Sequence, residues 1–463
     1  MDTIAAFVTP QLALLHRGKV RDSYRIDERT RLIVVSDRLS AFDRVLETPI
    51  RHKGAVLSCL SNWWFESTAA ICPNHLVRQI DPNLTLVAEA KPIKVEVVVR
   101  GYITGSMWRA YEQGKRSFSG QSVPDGLQRN QRLPVPLVTP TTKEDVDREI
   151  TPPAIVAEGL ASSALWEQMA ATALRLFAFG SERLAARGLL LADTKYEFGT
   201  VGDRLMLIDE IHTPDSSRLW PADQYQRDPL AVESLDKEYV RAWILQTEHG
   251  GGPRVMALPA EVAAETSRRY LQLYERVTGA ALPLDDEPPR ARMVRNLVAA
   301  GLIKDGYVAI CLGSPADQEH AATIADVLTR HDVAVDWRVV SAHKNGEQIM
   351  RLAAEYNHSA EPGACIAIAG LSNGLGGALA ANLTIPVISC PPFKDTADLL
   401  ANINSSLLLP SRTPAATVVR PENAALLALR CLNLPRLRAA FGREIAVMKD
   451  DLAAHDRRVR GRG

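Results

Sequence analysis

From Gly306 onward, short apolar runs alternate with helix-forming runs, and no other feature constrains the fold of this chain as tightly. "YVAICLG" reads as a strand, followed by a helix over about residues 321–330. "VDWRVVS" is a strand backed by the helix of "GEQIMRLAAEY", and "ACIAIAG" is a strand backed by the helix of "GGALAANL". "IPVISC" is a further strand. A helix between one strand and the next implies parallel pairing, because parallel strands need a long crossover. The expected product is a doubly wound sheet.

The chain before residue 280 lacks that regularity. "RLIVVSD", "IKVEVVVRGYI" and "RLMLIDEI" read as strands from their β-branched content and partial alternation. "SALWEQMAATALRLFAFGSERLAARG" and "PAEVAAETSRRYLQLYERVTG" read as amphipathic helices, the second stopped by Gly279. "AALPLDDEPPRARM" is rich in proline and charge and reads as a linker. The predicted organisation is a domain over 1–280, a linker over 281–304 and a domain over 305–463, with no internal repeat. At ~150 residues per domain, the length suggests two to four domains.

Composition sets outer limits. Apolar residues make up 46% and charged residues 23%, as in ordinary globular protein. Lys+Arg and Asp+Glu both total 54, so there is no basic excess of the kind a nucleic-acid or acidic-membrane binder shows. The tail "RRVRGRG" reads as a solvated, frayed end. The six cysteines lack metal or redox spacing and read as buried reduced thiols. There is neither a signal-peptide pattern nor a run long enough to span a bilayer, so a cytoplasmic protein is expected.

In an open parallel sheet, ligands bind beyond the carboxyl ends of the strands. Those ends are "GSPAD" (313–317), "SAHK" (341–344) and "GLSNGLGG" (370–377). All three carry small residues that admit close backbone approach, and helix N-termini follow that favour an anion such as phosphate. One such turn would only close a βα connection, but three at one edge point to a phosphorylated small molecule. The words "GSPAD", "VVSAHK", "AGLSNGLGG" and "PVISCPP", in that order, resemble 5-aminoimidazole ribonucleotide (AIR) carboxylase. The lysine of "SAHK" resembles the class II enzymes, which use CO2 directly and no biotin. The resemblance implies that Ser314 and Asp317 hold the ribose-phosphate end, with Ser341, Ser372 and Asn373 also at the substrate. It gives His343 the proton of the imidazole carbon, a task that suits a group with pKa ~6.5. Lys344 would grip phosphate or the new carboxylate, and both remain open. Taken alone, His343 would read as a helix-cap or core histidine. Ala316 stands where many members have a second serine, and Leu371 where vertebrate-type relatives carry arginine.

In the first domain, "LADTKYEFGTVGDRLMLIDEIHTPDSSRLW" reads as a hairpin around Gly202-Asp203. Asp193, Lys195 and Glu197 alternate and share one face. A three-residue loop would set Glu197 opposite Asp209, and a two-residue loop would set Tyr196 there. Facing carboxylates repel unless a cation or proton lies between them, and Mg2+ carried with nucleotide phosphates would serve. A solvated polar face is the plainer alternative. "HRGKVRDSY" offers Gly18, Lys19 and Arg21 in a turn as a phosphate cover, without the spacing of a P-loop.

"GKVRDSY", "SDRLSAFD", "KGAVLSCLSNWWFE", "VEVVVRGYITGS", "TPTTKEDVD", "DTKYEFG" and "DEIHTPDSSRLW" together resemble SAICAR synthetase, over almost all of residues 10–280. The implied fold is an α+β two-lobed domain with ATP between the lobes, followed here by an α/β doubly wound, flavodoxin-like domain. The implied reaction joins L-aspartate to 4-carboxy-5-aminoimidazole ribonucleotide (CAIR) with ATP, through an acyl phosphate. The resemblance places Gly18, Lys19, Arg21 and Glu96 at ATP and Glu197 and Asp209 at Mg2+. It gives Lys195 the phosphoryl oxygens and Asp193 the orientation of neighbouring polar groups. Asp37, Ser40, Arg100, Ser106, Lys143, Asp147 and Arg218 would bind the anionic substrates. The polar stretch before Lys143 is either a lid or an ordered surface loop. Val146 stands where the family often has histidine.

Two functions follow. One is a bifunctional enzyme whose second domain makes the CAIR that the first consumes. The other is a ligase whose second domain is an oligomerisation scaffold. The carboxylase family forms octamers, so a homo-oligomer is expected in either case. A flavin or signalling module is a third use of the same fold.

Overall fold

The computed structural model describes residues 3–42, 44–144, 147–249, 254–372 and 374–461. The chain divides into two compact units. The first takes the chain up to Ala6 and Leu14–Pro289; the second takes Phe7–Ala13 and the chain from Arg290. The stretch expected as a linker holds a helix, Pro289–Ala299.

The first unit contains two five-stranded sheets. One is antiparallel, from β1 (Leu14–Arg17), β2 (Arg21–Arg25), β3 (Thr30–Val35), β4 (Leu76–Asp81) and β5 (Leu84–Ala88), in the order β1-β2-β3-β5-β4. The other has β6 (Lys91–Tyr102), β7 (Arg132–Thr142), β8 (Leu189–Val201) and β9 (Arg204–Ile208) in the order β7-β6-β8-β9, and β10 (Ser217–Pro221) also pairs with β8. Helix α1 (Ser163–Ala185) lies on this second sheet. Trp166, Met169, Ala173, Leu176 and Leu184 are buried and recur at helical spacing, so one stripe faces the sheet. Ser162 caps the helix, its hydroxyl accepting from the Leu165 N–H at 3.2 Å.

The β8–β9 hairpin fixes the register that the sequence left open. Val201 pairs with Arg204, so the loop has two residues and Glu197 faces Ile208. Asp209 has left the strand, with φ 68°. On its other side β8 sets Glu197 opposite Glu96 and Asp193 opposite Arg100.

The second unit is a parallel sheet of β11 (Tyr307–Leu312), β12 (Ala334–Val339), β13 (Gly363–Ile368), β14 (Val387–Ser389) and β15 (Ala416–Thr417). The order β12-β11-β13-β14-β15 is the flavodoxin-like one, with its switch point between β11 and β13. All six residues of β11 are buried, as a central strand covered on both faces requires. The three predicted helices occupy Gln318–Arg330, Glu347–His358 and Gly374–Asn382. Where the tail was expected to fray, a helix runs over Pro435–Arg460, exposed along most of its second half. Five cysteines are free and buried, but Cys431 is exposed, against the expectation that all are buried. Among the described residues, no helix is long and apolar enough to cross a membrane.

Phe7–Ala13 is tied into the second unit through Gln11. Its side-chain N–H donates to Lys304 O at 3.0 Å and to Glu361 Oε2 at 2.7 Å, and its Oε1 accepts from Lys304 N at 2.7 Å. Burial pushes the Glu361 carboxyl up to about 7 from an ordinary 4.5, and the bonds from Thr9 and Gln11 offset only part of that. A carboxyl whose pKa rises on folding contributes fully below its unfolded value, and the contribution is lost as pH rises from about 4.5 through 7. Glu361→Gln is therefore expected to raise the unfolding temperature of this unit at about pH 8 and to change it little at about pH 5, as read by calorimetry. Equal shifts at the two pH values would contradict this.

Candidate functional site

Two sites emerge, one in each unit. In the first, β6 and β8 gather a charged cluster. Lys195 Nζ lies 2.7 Å from Glu96 Oε1 and 2.6 Å from Glu197 Oε1. Lys143 bonds the other Glu197 oxygen. Arg21 pairs with Asp209 and Glu210, so its side chain serves the carboxylates rather than the Gly18-Lys19 turn. Glu96, expected at the nucleotide, stands in this same cluster.

The electrostatics follow from burial. Burial and the Asp209 charge push the Glu197 carboxyl above its ordinary value, against Lys195 and Lys143. Burial also opposes the Asp209 charge. Arg21, Lys195 and Lys143, with a hydrogen bond from Glu197, nonetheless hold it well below the carboxylate range. Lys195 is disfavoured by burial but held charged by Glu197, Asp209 and Glu96. Among the described residues, no group of three or more His, Cys, Asp or Glu could hold a metal. The Glu197–Asp209 pair fits Mg2+ all the same, since that ion commonly takes one or two protein carboxylates and completes its shell with phosphates and water. A divalent cation between these carboxyls would offset their mutual repulsion.

Beside this cluster lies an arginine pair. Asp193 bonds Arg218 and, at 3.3 Å, Arg100, while Arg100 Nε donates to Thr139 Oγ1 at 2.9 Å. Asp193, followed by burial and Glu238, sets the Arg218 pKa, and the balance holds it above its ordinary value. Burial weakens the Arg100 cation. Arg218 lies against Gly105, where φ is 57° and an added Cβ would overlap the guanidinium. Ser106 is exposed in the first turn of the helix that starts there. Two guanidiniums beside a helix N-terminus make an anion cradle.

Other expected residues have different surroundings. Asp37 is buried and spends its oxygens on backbone, accepting from Ile4 N at 2.8 Å and Gly54 N at 2.9 Å. Ser40 sits in a two-residue strand paired with Val45. The Gly18-Lys19 turn is closed by Gly18 N–H to Arg21 O at 2.7 Å, and Lys19 is exposed. Asp147 is exposed, and Val146 lies outside the described residues.

Several residues of this region were not singled out from sequence. Arg38 braces the turn through Lys19 O at 2.9 Å, Gly18 O at 3.1 Å and Asp22 at 2.7 Å. Lys53, wholly buried, pairs with Asp215 at 2.9 Å, and Tyr270 OH donates to Asp215 at 3.0 Å. Arg38, Lys53 and Asp215 all stood within the family words.

The second unit carries a cleft of about 890 Å³ at the carboxyl ends of its strands. Ser314, Asp317, Ser341, His343, Lys344 and Ser372 all line it. Asn373 lies outside the described residues. Ser314 Oγ accepts from Ala316 N at 3.3 Å, and Asn345 Oδ1 accepts from Ser341 N at 2.7 Å, shaping the two turns. Burial raises the Asp317 carboxyl. The His343 ring is seated on Gly374, where an added Cβ would come 2.9 Å from Cε1. Sequence reasoning missed His320, Phe393 and Lys394, which also line the cleft. The last two follow "PVISCPP" directly, at the next strand end.

Residues 14–255 match the SAICAR synthetase family model, and 307–450 match that of AIR carboxylase. A phosphoribosylaminoimidazole-succinocarboxamide synthase of Legionella pneumophila (strain Lens) is 43% identical over 286 residues, 59% of this chain and 90% of its own. That of Methylobacillus flagellatus is 43% identical over 286 residues, 58% of this chain and 95% of its own. The solved SAICAR synthase of Saccharomyces cerevisiae, complexed with SAICAR, is 32% identical with a TM-score of 0.53, covering 61% of this chain and 99% of that one. The chain belongs to the SAICAR synthetase family and carries an AIR carboxylase domain after it, a bifunctional enzyme of purine biosynthesis with ligase and lyase parts.

Proposed function

We propose that the domain over 1–280 ligates L-aspartate to CAIR with ATP, and that the domain over 305–463 makes that CAIR from AIR and CO2. The observation that carries this reading is the pairing of a Lys195–Glu197–Asp209 cluster with a His343-bearing cleft in one chain. In the ligation, a CAIR carboxylate oxygen attacks the γ-phosphorus of ATP and ADP leaves. The aspartate amine then attacks the acyl carbon of the mixed anhydride, and phosphate leaves as the amide forms. Lys195 neutralises the phosphoryl oxygens, the Gly18-Lys19 turn covers the ATP phosphates, and Glu96 holds Lys195 in place. Mg2+ at Glu197 and Asp209 would supply charge neutralisation for those phosphates. Arg100, Arg218 and Ser106 take the anionic substrates, with Asp193 orienting the two arginines. Lys143, Asp147 and Ser40 border the same substrates, and Asp37 shapes the backbone beside them.

In the carboxylation, the electron-rich ring carbon of AIR attacks CO2 and then loses its proton to His343. Ser314, Asp317, Ser341, Ser372 and Asn373 receive the ribose-phosphate end, and Lys344 supplies a cation to phosphate or carboxylate. This enzyme works in the cytoplasm as a homo-oligomer, an octamer by family likeness, on small molecules alone and without biotin.

Two single changes separate the activities. His343→Asn is expected to cut CAIR formation from AIR by ~10²-fold or more and to leave ligation from supplied CAIR within about twofold. Persistence of both activities would remove His343 from its role. Glu197→Gln is expected to lower ligation by ~10²-fold and to raise the Mg2+ concentration needed for half-maximal rate, with carboxylation unaltered. An unchanged Mg2+ requirement would remove Glu197 from the metal.

A further inference from the structure

We propose that Asn402 is a positioning residue for the carboxylation cleft, holding Leu371 in a left-handed backbone conformation and so fixing the loop that carries Ser372 and Gly374. The proposal rests on the carboxylase reading of the second unit. Asn402 lies on the helix Thr396–Leu407 and is 4% exposed. Its Oδ1 accepts from the Leu371 N–H at 2.6 Å. Its Nδ2 donates to Pro392 O at 2.7 Å and to Asp398 Oδ1 at 3.1 Å. One turn further along the same helix, Ser405 Oγ donates to Leu371 O at 2.6 Å. The peptide groups of Leu371 are thus held on both sides by residues three apart on one helix face.

Leu371 itself has no reason to adopt this conformation. Its φ is 56°, a region that costs a side chain with a Cβ, and its side chain is 77% exposed, so burial gives nothing back. The hydrogen bonds from the helix impose the geometry. Immediately beyond lie Ser372, which lines the cleft, and Gly374, on which the His343 ring rests. The bond to Pro392 O secures the next wall, where Phe393 and Lys394 line the same cleft. A single buried amide therefore ties the loop after β13 to the loop after β14. Neither loop belongs to the helix that holds it, so the cleft's shape depends on a lining residue that reaches in from a separate helix.

The test uses the full chain and three variants: Asn402→Ala, Leu371→Gly and the two combined. Carboxylation is measured from AIR and bicarbonate, and ligation from supplied CAIR in the same preparations. Asn402→Ala is expected to lower carboxylation kcat by about tenfold or more, with a smaller change in KM for AIR and ligation within about twofold. Glycine takes a positive φ unaided, so the loss from Asn402→Ala is expected to be severalfold smaller in the Leu371→Gly background, the remainder reflecting the lost bond to Pro392 O. A wild-type rate for Asn402→Ala overturns the proposal. So does a loss from Asn402→Ala that is equally large in the two backgrounds. Amide exchange at Leu371 decides the point without turnover: faster exchange in Asn402→Ala supports the clamp, and unchanged exchange overturns it. A wild-type chain that forms no CAIR would sink the carboxylase reading instead, leaving the exchange result to judge Asn402.

Discussion

Glu197 and Asp209 bring two carboxyls close enough for each to shift the other's pKa, and several fixed cations gather around them. An isolated charge buried in this way costs several kcal/mol, so it must find a proton, a fixed cation or a metal. The chain supplies all the fixed cations from separate elements: Lys195 from β8, Arg21 from β2 and Lys143 from beyond β7. Glu96, facing Glu197 from β6, holds Lys195 from the other side. The arrangement is costly for stability alone. It is what a site needs if a highly charged phosphate group and its cation are to be met by compensating charges already in place.

The second unit solves a different problem. Its ligand-facing groups come from strand ends, where short loops start helices and the parallel sheet leaves a crevice. Each loop is then pinned by a side-chain bond: Ser314 to its own turn, Asn345 to Ser341, and Asn402, from a separate helix, to Leu371 and Pro392. The first site is organised by charge compensation across a sheet, the second by hydrogen bonds that hold loops.

Periodicity made the parallel sheet, three of its helices and the shared face of Asp193, Lys195 and Glu197 legible in the sequence. These depend on local patterns. The hairpin register depended on whether the loop held two residues or three, and only the folded strands decide that. Arg21 illustrates a different limit. Its place in a polar turn suggested phosphate, yet its guanidinium reaches residues 188 positions away. Asp37 likewise reads as a site residue, and the fold uses it to satisfy buried backbone N–H groups. Lys53, Asp215 and Asn402 work through partners far apart in sequence or on another loop, and no spacing rule announces them. Pro289–Ala299 forms a helix despite the proline and charge that marked a linker, because Met293, Val294 and Leu297 provide a buried stripe.

The central claim is that one chain carries both steps. The most direct measurement supplies the full chain with AIR, bicarbonate, L-aspartate, ATP and Mg2+, with no CAIR, and follows SAICAR by its mass. SAICAR is expected at a steady rate after a short lag. Formation only when CAIR is added would mean that the second domain makes none.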